Sequence, residues 1–207
     1  MNSHQRRILI FAKAPEPGLV KTRLQTHLDP AACANIHKIL TTNTLSVACQ
    51  SHLALVELWV TPSFDHPFFE NCERLFPIKF NIQRGISLGE RMHLALKQSL
   101  VECKTAVIIG TDCPTITKAY LKKAFDMLET DKDIVLGPAN DGGYVLIGAR
   151  RTHSALFSNI AWGSSRVLAQ TQTALDYLGW SWAKLDSLQD IDRPQDLSSL
   201  KINSHDL

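Results

Sequence analysis

TAVIIGTDCP, residues 105–114, is a short apolar run, Thr105 to Gly110, that passes at once into a carboxylate, Asp112, and a proline, Pro114. A β-branched run closed by Gly and Pro reads as a buried strand. Open α/β sheets bind their ligands just beyond the carboxyl ends of their strands. A carboxylate at that point is therefore a candidate ligand to a divalent metal, which one or two carboxylates hold while phosphates and waters complete the shell. Asp112 could instead cap the helix expected after Pro114, although Thr115 and Thr117 could serve that end as well.

Working outward, strand signals alternate with helical periodicities. Strands are expected at Arg7–Lys13, Leu53–Val60, Ile78–Gln83, Thr105–Gly110, Asp133–Leu136, Gly142–Ala149 and Trp180–Leu185. Helices are expected from Val20, from Pro30 to Cys49, and over Phe68–Leu75, Ser87–Cys103, Lys118–Glu129, Ser164–Leu178 and Pro194–Leu200. Alternation of this kind implies βαβ units and a mostly parallel sheet covered on both faces. The expected architecture is one three-layer α/β/α domain over residues 1–207.

The 44% hydrophobic content supports one sizeable core, and the net charge of +2 is far from the basic stripe of a nucleic-acid binder. No run approaches ~18 apolar residues, so no membrane span is expected. Five scattered cysteines, never in a CxxC pair, disfavour a zinc site or a disulfide framework and fit a reducing cytoplasm.

The segment KAPEPGLVKTRL, residues 13–24, carries Lys13, Gly18, Lys21, Thr22 and Arg23. Gly18 permits close backbone approach, and a helix opening at Val20–Thr22 would turn free N–H groups toward an anion. Lys21 offers a point charge and Arg23 a two-pronged fork for phosphate oxygens. No Gly directly precedes the Lys, so this is not a Walker A loop. A solvated basic segment is the plainer reading.

Four further segments complete the set. LQDIDRPQDL, residues 188–197, holds Asp190, Asp192 and Asp196, a surface cluster with Asp192 capping a helix at Pro194, unless it meets Asp112 in space. Asp141-Gly142-Gly143 is a turn signal that could also wall an acceptor. QRGISLGERM, residues 83–92, offers Gly89 with Arg84 and Arg91, which could reach phosphate or base. Trp162 could stack on a base or sugar, or simply pack. Cys113 lacks a His–Asn partner pattern and reads as a packed side chain.

In this order, FAKAPEPGLVKTRL, QRGISLGERM, IIGTDCPTIT, GPANDGGYVLIG, WGSSRV and LQDIDRPQDL resemble the DUF2064 proteins. That family is similar to phospholactate guanylyltransferases and has the GT-A, nucleotide-diphospho-sugar-transferase-like fold. The resemblance implies that Lys21 and Arg23 contact nucleotide phosphates. It further implies that Asp112, with Asp192 or Asp190, holds Mg²⁺ or Mn²⁺, and that Asp141, Gly142 and Gly143 line the acceptor side. One departure is that APEPGLVKTR stands where nucleotidyltransferases of this fold carry a Gly-rich LxGGxxxRMG loop.

The leading expectation is a metal-dependent transferase that moves a nucleotidyl group from an NTP to a small phosphorylated or sugar acceptor, releasing pyrophosphate. An NDP-sugar-dependent glycosyltransferase is the first alternative, although the residue two after Asp112 is Pro114 and not the second Asp of a DxD pair. A non-catalytic nucleotide-binding module is the second. Base, acceptor and oligomeric state are left open by the sequence.

Overall fold

The computed structural model describes residues 3–199. Seven strands form one sheet: β1 (Arg6–Lys13), β2 (Leu55–Thr61), β3 (Ile78–Ile82), β4 (Thr105–Gly110), β5 (Ile134–Pro138), β6 (Tyr144–Ala149) and β7 (Trp182–Lys184). Their order is β3-β2-β1-β4-β6-β5-β7, parallel throughout except for β6, which runs antiparallel to β4 and β5. The chain leaves β1 toward β2 and β3, then returns across the sheet to β4. The two sides therefore part between β1 and β4, the switch point at which such sheets open a crevice.

Both faces are covered, as alternating burial requires. The helices α1 (Pro30–Ser51), α2 (Pro67–Leu75) and α4 (Lys118–Thr130) pack on Ile8, Ile10, Leu58, Val107 and Ile109. The helices α3 (Leu88–Ser99) and α5 (Val167–Leu178) pack on the opposite face, against Leu9, Ile108, Leu136 and Ile147. Ile8 and Leu9, neighbours in sequence, are both fully buried because a strand sends them to different layers. The result is the three-layer α/β/α architecture. Among the described residues no helix is long and apolar enough to cross a membrane.

Two expected helices differ. Val20–Thr22 does not open an α-helix: Lys21 takes a left-handed conformation (φ 50°, ψ 36°), and only a 3₁₀ segment, Thr22–Thr26, follows. A left-handed lysine interrupts helical geometry, so the expected helix dipole is not formed at this point and the side chains of Lys21 and Arg23 are what the loop offers an anion. The closing segment is likewise 3₁₀, over Pro194–Ser199, and the expected end at Leu200 lies outside the described residues. Asp192 does not cap it. The Asp196 carboxylate accepts from the N–H groups of Asp192 and Arg193 instead.

Far from the switch point, Glu57 is 5% exposed. It accepts from Trp59 Nε1 at 2.9 Å and Asn81 Nδ2 at 3.1 Å, and faces Arg7 Nε at 3.3 Å. Without Glu57, Arg7 keeps as countercharge only the more exposed Glu102, 3.5 Å away, and the Trp59 and Asn81 N–H groups lose their acceptor. Glu57→Leu is accordingly expected to cost about 3 kcal/mol in chemical denaturation, the low end for a buried pair that loses one partner. An Arg7→Met/Glu57→Leu double variant should recover part of that loss.

Candidate active site

The carboxyl ends of β1 and β4 frame a crevice of about 600 Å³ whose walls include Lys13, Lys21, Thr22, Arg23, Asp112 and Asp192. Residues 170 positions apart meet here because two backbone loops lock together. The Ile191 N–H donates to the Asp112 carbonyl at 2.8 Å, bringing the segment after β7 against the end of β4. Lys21 ties the loop after β1 to the same point. Its ammonium donates to the Ile191 carbonyl and stands 2.6 Å from Asp112 Oδ1.

The Lys21 side chain is 3% exposed, whereas that of Asp112 is 50% exposed. A buried cation beside a half-open carboxylate explains why a non-glycine residue tolerates positive φ: the tertiary contacts outweigh the local strain. Arg23 forms an ion pair with Asp192 and reaches the Gly163 carbonyl at 3.4 Å. Asp112 has no capping duty, because Thr117 Oγ1 accepts from the Tyr120 N–H at the start of α4.

Asp190 is held differently. Burial first, and then the carboxylates of Asp141, Asp192 and Asp112, push its pKa up to about 6. Among the described residues no cation pairs with it, so four carboxylates share a region in which Lys21 and Arg23 answer only two. Among the described residues no three His, Cys, Asp or Glu side chains stand together so as to hold a metal ion by themselves. An all-oxygen donor set with uncompensated negative charge nevertheless suits a hard divalent cation that keeps waters and substrate phosphates.

The raised pKa fixes a pH dependence. The folded protein binds a proton at Asp190 that the unfolded chain, near its ordinary value of 3.8, has already lost. Metal-free stability therefore falls as pH rises from about 4 to about 6. Because the group is half-exposed, the contribution is on the order of 1 kcal/mol after solvent screening. Asp190→Asn should flatten that segment of a pH-stability curve and stabilise the metal-free protein at pH 7.

Alongside lies a second pocket of about 210 Å³ that shares Phe11, Leu88 and Gly110 with the first. Asp141, Gly143 and Trp162 line it. The turn before β6 is pinned by Gly143 N–H donating to Asp141 Oδ1 at 2.8 Å. Gly142, at φ 92°, is required by contact: a Cβ there would lie 2.3 Å from the Ser165 carbonyl oxygen.

Some expected residues lie elsewhere. Gly89 is buried in α3, where a Cβ would strike the Phe157 carbonyl at 2.7 Å and the Trp162 ring at 2.9 Å, so it serves packing. Gly18 has φ 85° and borders neither pocket. Cys113 is 2% exposed, and burial pushes its thiol up, away from nucleophilic character. Three crevice residues carried no local signal or only a weak one. His37 bonds the Lys13 carbonyl at 3.1 Å, and burial lowers its pKa. The Gln83 amide donates to the Ala12 and Trp59 carbonyls at 3.2 and 2.8 Å. Arg91 donates to the Gly85 carbonyl at 2.9 Å. His37 lies mid-helix and Gln83 just past a strand, where sequence alone marks neither.

A protein-family model described as "Uncharacterized protein conserved in bacteria (DUF2064)" matches residues 44–164. No curated protein matches the sequence. A structure from Desulfovibrio desulfuricans G20, provisionally named a nucleotide-diphospho-sugar transferase, is 29% identical with a TM-score of 0.86, covering 97% of this chain and 89% of its own. The inositol-1-phosphate CTP transferase from T. maritima is 14% identical with a TM-score of 0.59, covering 99% and 94%. Rv0371C from Mycobacterium tuberculosis H37Rv, in complex with manganese, is 16% identical with a TM-score of 0.54, covering 96% and 98%.

Proposed function

The chain belongs to the DUF2064 family, and from that premise we propose that it is a divalent-metal-dependent, nucleotide-using transferase built as one domain. In the reading best supported, it transfers a nucleotidyl group from an NTP to a small acceptor bearing a phosphate or sugar-type hydroxyl oxygen. The acceptor oxygen bonds to the α-phosphorus as the bond to the bridging oxygen breaks, and pyrophosphate leaves; where the acceptor is a hydroxyl, its proton passes to solvent. The observation that carries this reading is the meeting of Lys21 and Arg23 with Asp112, Asp190 and Asp192 at the switch point of the sheet.

Lys21 and Arg23 bind and orient the phosphates and offset charge that develops on the leaving group. Lys13 and Thr22 complete that wall of the crevice. Asp112, with Asp190 or Asp192, would hold Mg²⁺ or Mn²⁺, which supplies Lewis-acid charge to the phosphate oxygens. No protein nucleophile is needed. The DGG turn and Trp162 form the acceptor side. The CTP transferase and the manganese complex that share this fold are compatible with both nucleotide and metal. Five free thiols suit a cytoplasmic setting.

A second reading, glycosyl transfer from an NDP-sugar, is favoured by the name of the Desulfovibrio desulfuricans relative. The two separate by product. NTPs with Mg²⁺ or Mn²⁺ and a panel of phosphorylated and sugar acceptors should give pyrophosphate under the first reading. Sugar nucleotides should give free NDP under the second. Neither product with any combination would leave a nucleotide-binding module in place of an enzyme.

A further inference from the structure

The two halves of the site differ sharply in chemistry. The larger crevice is walled by Lys13, Lys21, Arg23 and Arg91, whereas no lysine or arginine lines the smaller pocket. Its walls are Phe11, Leu88, Met92, Ile108, Tyr144 and Trp162, with further aliphatic side chains beneath them. Its polar side chains are few. Asp141 Oδ1 accepts from Gly143 and its carboxylate is exposed, the Ser164 hydroxyl donates to the Ala161 carbonyl at 2.7 Å, and the buried Tyr144 hydroxyl has no hydrogen-bond partner among the described residues.

We propose that this pocket receives an apolar, ring-sized body of the acceptor, whose reacting oxygen lies at the Gly110 junction with the cationic crevice. The proposal rests on the transferase reading above and names the substrate class for the same site. A polyhydroxylated sugar body would bring hydroxyls that find few partners, and an unpaired buried polar group is costly. A phosphate in the pocket would find no cation in its walls, Arg23 lying beyond the Gly163 carbonyl. A planar hydrocarbon or heteroaromatic ring meets neither obstacle.

Size agrees with that assignment. An apolar cavity of roughly 150 Å³ accommodates benzene, and this pocket is about 210 Å³. It is also held open. Gly89 leaves room for the Trp162 ring to lie against α3, so the indole is seated behind the pocket and does not fall into it. The edge of Tyr144 meets Trp162 with ring centroids 6.2 Å apart, which fixes the second wall. A pocket already formed spares the ligand the cost of ordering it.

Indole serves as probe, titrated against the full chain by isothermal calorimetry, with glucose 1-phosphate as polar competitor. Indole is expected to bind saturably and glucose 1-phosphate not to displace it. Val167, 5% exposed in the pocket wall at the start of α5, is the site of the test substitution. Val167→Asp should weaken indole binding by about tenfold or more by placing a charge in the wall. If that variant does not fold, the isosteric Val167→Thr should weaken it by a smaller factor. Absent indole binding, binding indifferent to both variants, or displacement by glucose 1-phosphate overturns the proposal. A thermal shift of the wild type with NTP and Mg²⁺ is read separately. Its presence without indole binding sinks only the ring-sized acceptor. Its absence with indole bound sinks the transferase reading, and with it the assignment of the ring to an acceptor.

Discussion

Asp112→Asn is expected to lower kcat/KM for metal-dependent transfer by about 10²–10³-fold, the usual range when one preorganised charge-stabilising group is lost. The substitution keeps the shape and removes the charge that would hold the metal. It also leaves the Lys21 ammonium, 3% exposed, facing a neutral amide oxygen where its carboxylate partner stood at 2.6 Å, so the hydrogen bond can persist while the countercharge is lost. A stability loss on the order of 1 kcal/mol in the ligand-free protein should accompany the loss of turnover. Lys21→Met combined with Asp112→Asn should restore much of that stability and none of the activity. Undiminished product release by Asp112→Asn at saturating Mg²⁺ would end the metal-ligand role of this carboxylate.

The second large effect is cooperative ligand stabilisation. In the ligand-free protein the groups proposed to bind phosphate are paired with those proposed to bind metal: Lys21 with Asp112, and Arg23 with Asp192. Either ligand alone must break these pairs and leave one member unanswered. Metal and nucleotide together satisfy both members, so each should tighten the other by the same factor. The gain in stability from Mg²⁺ plus nucleotide should therefore exceed the sum of the separate gains, reaching roughly 2.7 kcal/mol at ~100 times Kd. Lys21→Ala should shrink the joint gain in a thermal-shift panel of NTPs and sugar nucleotides. Strict additivity in the wild type would contradict an exchange of partners.

Much of the framework could be read from local pattern, since Thr105–Gly110 and Arg6–Lys13 are apolar runs stopped by Gly, Pro or charge. The β5–β6 hairpin follows similarly: the gap from Pro138 to Tyr144 is too short for a parallel crossover and contains Asp-Gly. What escaped local reading was set at long range. Lys21 adopts its left-handed turn because its ammonium is captured by Ile191 and Asp112, so the helical preference of its neighbours did not decide the loop. Asp192 stood at a reasonable capping position, yet Arg23 draws its side chain away and Asp196 takes the N–H groups. Gly89 falls in the expected helix Ser87–Cys103 as a candidate binding residue, and only the position of Trp162 reveals it as a packing residue. His37 is buried in the middle of α1, and nothing in its helical neighbourhood separates it from an ordinary core residue.

The reversal of β6 has a practical corollary for redesign. Since this strand starts where its neighbours finish, residues 139–143 form a hairpin tip that borders the apolar pocket and is laced by backbone bonds at Pro138 and Asn140 to Leu188, just ahead of Asp190 and Asp192. Selectivity could thus be transplanted as a cassette, by exchanging that tip between homologues, provided its backbone bonds to Leu188 are kept. The one letter such a graft has to keep is glycine at 142, where the Ser165 backbone leaves no volume for anything larger.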